Sequence, residues 1–363
     1  MKTPKARKIS SNSWRTEVMV GGRRYSFVSE DKDESERLAM LKKLQQSGRE
    51  SDYTALLSTI TVREAIDAYL SDTDNVLSQS TVRSYRSMQE YRFQSVMDKR
   101  ITSRINWQSV INQESRSYVK KKVRYLNDNQ YEYKIIETDK QLSPKTILNA
   151  WGMIHAVLEY HKLPIPDVRL PMQVKKEHLF LDPEEIKTFL RAIEGHRYEL
   201  PYLLCLHGLR RSEMASVRKP DIVKIRGKFF IRVSGSMVFD ENNKLIEKET
   251  NKTKDSTRLV PVMIPRLLEL VKEAEDGKLF KANINAICHP LNTICRNNDL
   301  PECGLHGLRH SFASLGYHLD IKPMVVQKWG GWSSGDIVQR IYTHLANMDE
   351  EEAMDKMGYF YAE

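Results

Sequence analysis

Between His306 and His344 the sequence sets chemically capable side chains at short intervals: His306 and Arg309 in His-Gly-Leu-Arg, then Trp332, then Tyr342 in Ile-Tyr-Thr-His. Upstream stand Arg210 and Glu213 in Gly-Leu-Arg-Arg-Ser-Glu, and Lys252 and Lys254 in Thr-Asn-Lys-Thr-Lys. Arginine presents a fixed fork of donors that suits the oxygens of a phosphate better than a point charge does. A tyrosine hydroxyl can attack phosphorus, hold it as an ester and leave again. Imidazole can move a proton near neutrality and an ammonium can protonate a departing oxygen, whereas an indole N–H can only donate. Such a set could cut and rejoin a phosphodiester with no metal and no nucleotide cofactor. Taken singly, each residue has a plainer explanation: surface charge for the arginines, core for Trp332, and one of 16 tyrosines for Tyr342.

Composition is consistent with a polyanionic partner. The chain has a formal net charge of +9 and a pI near 9.1, and nucleic acid is the commonest partner of a basic soluble protein. With 363 residues, 40% of them apolar, it has material for two or three cored domains. No apolar run is long enough to span a bilayer, and the basic N-terminus lacks the hydrophobic stretch of a signal peptide, so a cytoplasmic protein is expected. Cys205, Cys288, Cys295 and Cys303 are expected to stay reduced. The spacings of Cys288, His289, Cys295, Cys303 and His306 fit no zinc pattern.

The elements that must position these residues follow from patterning. Ser13 to Val28 alternates apolar and polar residues about Gly21-Gly22, which predicts a β-hairpin, and Asp31 to Gln46 predicts an amphipathic helix with Leu38, Leu41 and Leu44 on one side. Lys5, Arg7, Lys8, Arg15, Arg23 and Arg24 make this small module basic, a candidate DNA-binding headpiece. Ser51 to Thr59 reads as a linker. Thr61 and Glu64 form a capping box that opens a helical region running through Ser80–Phe93, Trp107–Ile111 and Pro144–Tyr160. Within it, Arg116 to Gln141 is polar, basic and tyrosine-rich, and reads as an inserted loop or hairpin.

Pro164, Pro166 and Pro171, followed by Lys175 and Lys176, mark the best domain boundary. Beyond it, Asp182-Pro183-Glu184-Glu185 caps a new helix. Tyr198 to Val217 reads as helix, turn at His207-Gly208, helix. Phe229–Val233 and Arg258–Val262 read as strands flanking a polar hairpin, and helical patterns return from Pro265. The expected class is therefore multidomain and mainly α with small β elements. Its expected domains are a headpiece of β-sheet plus helix over residues 1–55, an all-α bundle over 60–165, and a mixed, mostly α domain over 175–363.

The motifs Gly-Leu-Arg-Arg-Ser-Glu, the lysines before Arg258-Leu-Val-Pro, His-Gly-Leu-Arg, and Trp332 ten residues before Tyr342 together resemble the catalytic domain of the tyrosine recombinases, the integrases of phages and mobile elements. The resemblance is detailed from about Pro183 onward and extends to the N-terminal half in layout only, as an arm-site headpiece and a core-site helical domain. It implies that Arg210 is the first arginine of the phosphate clamp with Glu213 supporting it, that His306 and Arg309 are the His-x-x-Arg pair, and that Tyr342 is the nucleophile. Trp332 stands where most members carry histidine. The hairpin lysine is Lys252 by preference, with Lys254 as the alternative. The resemblance further implies a 3′-phosphotyrosyl link, a Holliday junction and a homotetramer on double-stranded DNA, with directionality or DNA-bending proteins as accessory partners.

Two rivals are a DNA-relaxing enzyme like the type IB topoisomerases, and a DNA-binding regulator without catalysis. A separate headpiece argues against the first, and a complete set of competent side chains against the second. After the nucleophile's helix, Met348 to Phe360 reads as a short amphipathic tail that could dock on a neighbouring subunit or fold back on its own domain.

Overall fold

A computed structural model of the chain describes residues 3–127, 130–173, 179–240, 243–248, 257–348 and 354. It divides into two compact units, Met1–Lys175 with Phe239–Lys244, and Lys176–Val238 with Leu245–Glu363. Lys175, Lys176 and almost all of the tail lie outside the described residues. No described helix is long and apolar enough to cross a membrane.

The first unit opens with an antiparallel sheet of β1 (Arg7–Ser10), β2 (Ser13–Val20) and β3 (Arg23–Ser29), in that order. Strand alternation buries Thr16, Val18, Tyr25 and Phe27 on one face, and α1 (Lys32–Gln45) covers that face with Leu38, Leu41 and Leu44. Next comes α2 (Glu50–Leu57), where the sequence reads as a linker. This segment is helical because Tyr53 and Leu57, one turn apart, bury against the core; its polar neighbours hide the two anchors.

Helix α3 (Val62–Ser71) begins at the expected capping box of Thr61 and Glu64. It is followed by α4 (Gln79–Tyr91), α5 (Gln94–Met97), α6 (Trp107–Glu114), a two-stranded ribbon of β4 (Tyr118–Asn127) and β5 (Gln130–Gln141), and α7 (Pro144–Tyr160). One continuous apolar core runs from Val18 of the sheet to Leu158 of α7. A polar knot joins the same parts. Lys42, buried on α1, donates to Asp72 at 2.6 Å and Asp74 at 2.8 Å, lies 4.5 Å from the ring of Tyr25, and shares these carboxylates with the hydroxyls of Tyr25 and Tyr160.

The second unit starts with α8 (Pro183–Ile193), capped by Asp182 and Glu185 as expected, then α9 (Glu199–Leu206) and α10 (Arg211–Met214). Strands β6 (Ile222–Ile225) and β7 (Lys228–Val233) form a hairpin, β8 (Ser236–Phe239) and β9 (Leu245–Lys248) form another, and β10 (Arg258–Pro261) completes the sheet β10-β7-β6. The two strands expected from the sequence thus pair with each other, Arg258 opposite Val233 and Pro261 opposite Phe230. The chain closes with α11 (Pro265–Glu273), α12 (Cys288–Asn297), α13 (Gly304–His318), α14 (Pro323–Gly330) and α15 (Asp336–Met348). Helix α13 is central, touching α8, α9, α12, α14 and α15, and its buried side includes Leu308, Arg309, Phe312 and Ala313.

Lys42→Met keeps the apolar stem and leaves Asp72, with 1% of its side chain exposed, without its buried cation. We expect a loss of about 3–5 kcal/mol from the first unit in urea unfolding, the usual cost of breaking one side of a buried pair. A change below about 1 kcal/mol would show that Tyr160 and water suffice for Asp72.

Candidate active site

Three arginines of the second unit meet at one carboxylate. Glu213 sits in the single turn of α10 with 3% of its side chain exposed. Arg210, the cap residue of that helix, gives Glu213 its backbone N–H at 2.8 Å and its Nη1 at 2.6 Å, and sends Nη2 to the carbonyl of Gly331 at 2.6 Å. Arg258, at the start of β10, grips the same carboxylate with both terminal nitrogens, at 3.1 and 2.9 Å, and its Nε donates to the carbonyl of Trp329 at 2.7 Å. Arg309 of α13 donates to the carbonyl of Gly208 at 2.7 Å, and its Nη1 lies 3.7 Å from Glu213.

Backbone shape makes this convergence possible. Gly208 has φ +82°, and a Cβ there would lie 2.9 Å from the ring of Phe312, so the turn after α9 admits only glycine if its carbonyl is to face Arg309. Gly331 has φ +68° and ends α14; a Cβ there would lie 2.7 Å from the Arg258 guanidinium. The Trp329–Trp332 segment is therefore held from two sides, by Arg258 and by Arg210.

Burial and charge set the protonation states. Burial alone would raise the pKa of Glu213, but the hydrogen bonds and charge of Arg258, with the backbone N–H and charge of Arg210, bring it below its ordinary value. Burial, then the nearby charges of Arg210 and Arg258, push Arg309 down to about 9, so it remains a cation at neutral pH. One carboxylate thus faces three guanidinium charges. Arg258 and Arg309 are almost wholly enclosed, with 5% and 1% of their side chains exposed, while Arg210 is 38% exposed and faces solvent.

Around this cluster, Trp332 is buried, stacks on Phe312 with ring centroids 6.5 Å apart, and has the Arg309 guanidinium 4.3 Å over its ring. Its indole N–H has no hydrogen-bond partner. His306 is exposed one turn before Arg309 and edges against the ring of His310 at 4.5 Å. Tyr342 is half-buried on α15. Its hydroxyl donates to the carbonyl of Ile321 at 2.8 Å, its ring meets Tyr317 edge-on at 5.3 Å, and burial pushes its pKa up to about 12.

The contacts therefore bring Arg210, Glu213, Arg309 and Trp332 together, and place His306 on the helix of Arg309. The hydroxyl of Tyr342 rests instead on a main-chain carbonyl. Lys252 and Lys254 lie outside the described residues.

Two residues gain a place that sequence reasoning missed. Arg258 passes there for the first residue of a strand, yet in Arg-Leu-Val-Pro it shares its side with Val260, which is fully buried. An arginine at an inward strand position needs a carboxylate, and that alternation was the available signal. His207, without an assigned role from sequence, is a buried structural pin: one ring nitrogen pairs with the carbonyl of Leu203 at 2.7 Å, and the other accepts from the backbone N–H of Met263 at 3.0 Å. Burial lowers its pKa to about 4, which suits a neutral ring. His344 lies edge-on to Phe180 beside the nucleophile candidate.

Residues 179–348 match the model of the phage integrase family. The sequence is 25% identical over 206 residues to a tyrosine recombinase XerC-like protein of Caldanaerobacter subterraneus subsp. tengcongensis, covering 48% of this chain and 52% of that protein. It is 26% identical over 212 residues to the ICEBs1 integrase of Bacillus subtilis, covering 52% of this chain and 56% of that one. The chain thus spans about half the length of the curated relatives it matches. In fold it is similar to the Tn1549 transposon integrase solved with transposon right end DNA, with a TM-score of 0.58 at 16% identity over 82% of this chain and 100% of that one. A lambda integrase tetramer bound to a Holliday junction matches with a TM-score of 0.52 at 13% identity, over 93% of this chain and 95% of that one.

Arg258→Gln leaves Glu213 with two of its three charged partners and frees the Trp329 carbonyl. We expect the second unit to lose about 3–5 kcal/mol in guanidinium unfolding read by tryptophan fluorescence, and Arg258→Lys to recover only part, since a lysine cannot make the fork and the Nε bond together. The part of this stability carried by the lowered pKa of Glu213 is fully present above its ordinary value and fades as pH falls through the folded one. Equal stability of Arg258→Gln and wild type from pH 7 down to pH 4 would contradict the assignment.

Proposed function

We propose that the chain, whose residues 179–348 match the phage integrase family, is a site-specific DNA recombinase that integrates and excises a mobile genetic element through Tyr342. The observation that carries this reading is the charge balance of the cluster: three guanidinium groups share one buried carboxylate, which leaves a surplus of positive charge of the kind a phosphate would balance. Arg309 keeps its Nε without a partner, and the indole N–H of Trp332 is likewise unfilled, so donors remain for the non-bridging oxygens.

In the proposed reaction the phenolic oxygen of Tyr342 attacks the phosphorus, a 3′-phosphotyrosyl bond forms, and the bond to the 5′ oxygen breaks. The phenolic proton passes to His306, and Lys252 or Lys254 gives a proton to the departing 5′ oxygen. Arg210 and Arg309 hold the charge that gathers on the phosphorane, with Trp332 as a further donor and Glu213 orienting the arginines. Reversal with a 5′ hydroxyl of another duplex exchanges strands, which two paired cleavages turn into a Holliday junction. This calls for four protomers on double-stranded DNA. The lambda integrase, a tetramer on such a junction, shares the fold and supports that assembly.

The basic sheet of β1 to β3 is cast as the arm-site headpiece and the helices α3 to α7 as the core-site domain, with directionality or bending proteins as accessory partners. The proposed setting is the cytoplasm.

A suicide duplex that traps the cleaved strand tests the reading. Wild type should give a covalent protein–DNA adduct, and Tyr342→Phe should give none while still binding the duplex; an adduct with Tyr342→Phe would sink the assignment. For the proton donor, Lys252→Ala is expected to slow cleavage about 10²–10⁴-fold, the usual worth of general acid catalysis, and Lys254→Ala far less. A 5′-thiol leaving group, which needs no proton, should rescue Lys252→Ala. Rescue confined to Lys254→Ala would give the role to Lys254.

A further inference from the structure

The ribbon of β4 and β5 takes no part in the chemistry above, and among the described residues none of its side chains belongs to the core of the first unit. Its base is fixed: the backbone N–H of Leu142, a buried residue, donates to the carbonyl of Ser117 at 2.9 Å, and Gln141 reaches the carbonyl of Ser115 at 3.0 Å. Beyond that base the antiparallel register continues from Lys120 opposite Glu137 to Asn127 opposite Gln130. At about 3.3 Å per residue the ten residues of β4 reach roughly 30 Å, the length of about nine base pairs of duplex.

Two features make the ribbon unlike a spare surface hairpin. Its strands differ in charge: β4 reads Tyr-Val-Lys-Lys-Lys-Val-Arg-Tyr-Leu-Asn, with four cations and no acid, while β5 carries Lys134 and Lys140 against Glu132, Glu137 and Asp139. Apolar side chains are also exposed on both of its faces, since the consecutive residues Ile135 and Ile136 are 48% and 40% exposed, and Tyr133 is 60% exposed. Association with a protein through those apolar groups would strip water from the lysines beside them. A polyanion instead takes up the cations and lets the apolar groups lie against sugars and base edges.

We propose that the Tyr118–Gln141 ribbon is a DNA-contacting arm of the first unit, with β4 as its phosphate-binding strand. A two-stranded ribbon fits the major groove of a duplex. The inference rests on the reading of the chain as a DNA recombinase and assigns to it a contact separate from the cleavage site.

The test uses the full chain and a 40-base-pair duplex of mixed sequence, with binding measured from 50 to 200 mM salt. Replacing Lys120, Lys121, Lys122 and Arg124 together by glutamine should reduce the slope of log affinity against log salt by roughly 2 to 4, because each neutralised phosphate contributes about 0.9. An unchanged slope overturns the proposal. A benzophenone side chain placed at Tyr133 in the otherwise intact protein should cross-link to the duplex on illumination; cross-links to a second protein copy alone, or none to DNA, would overturn it too. Wild type that bound no duplex and formed no adduct would remove the recombinase reading itself. Wild type that did both, with an unchanged slope in the variant, would remove only the arm.

Discussion

The carboxylate of Glu213 allows three guanidinium groups to share one interior. A charge drawn out of water costs several kcal/mol unless it is paired, and two of these arginines are almost wholly enclosed. Arg258 satisfies most of its donors internally, on the carboxylate and on the Trp329 carbonyl. Arg309 spends one donor on the Gly208 carbonyl and leaves its Nε without a partner, and Arg210 remains open to solvent. The cluster is therefore graded, from an arginine that braces to an arginine that faces outward. An anion entering at Arg210 meets a positive field already assembled, with little reorganisation left to do.

Positioning follows from chain turns that only small residues permit. The Gly208 turn lets a carbonyl reach Arg309, and its tight approach to Phe312 connects it to the Phe312–Trp332 stack and so to the ring under the Arg309 guanidinium. Gly331 leaves room for Arg258 while its own carbonyl receives Arg210. Strand β10 thus does more than complete a sheet. It carries the brace of Glu213, and in sequence it follows closely on Lys252 and Lys254, the lysines of the proposed proton transfer.

Much of this was readable from sequence, for identifiable reasons. Elements with their own local signals came through: the capping boxes at Thr61 and Asp182, the alternation around Gly21-Gly22, and the strand patterns at Phe229 and Arg258. The helix Glu50–Leu57 was hidden because only Tyr53 and Leu57 commit it to the core, and two anchors in a polar stretch resemble a linker. In the site, the motifs gave Arg210, Glu213, Arg309 and Trp332, which the fold brings together. Arg258 was missed because the alternation of its strand marks it only as inward-facing, and nothing local identifies its partner Glu213, 45 positions away. The single apolar core that joins the sheet of β1 to β3 with the helices through α7 is likewise a long-range property.

Tyr342 shows where local competence and global state part. With its hydroxyl donating to the Ile321 carbonyl and its pKa pushed up by burial, the phenol is held neutral and its proton is committed. A Cβ at residue 316 would stand 3.0 Å from that hydroxyl, so the seat exists because residue 316 is glycine. The proposed attack needs the opposite conditions: a hydroxyl released from Ile321, a base within reach, and positive charge nearby to lower the cost of the phenolate. In the proposed reaction the arginine cluster is the source of that charge. On this reading a phosphate does two things at once: it balances the guanidinium surplus, and it gives the tyrosine a reason to exchange one main-chain bond for the reaction centre. The resting contact is weak enough for that exchange, since a single neutral hydrogen bond is worth about 1 kcal/mol net.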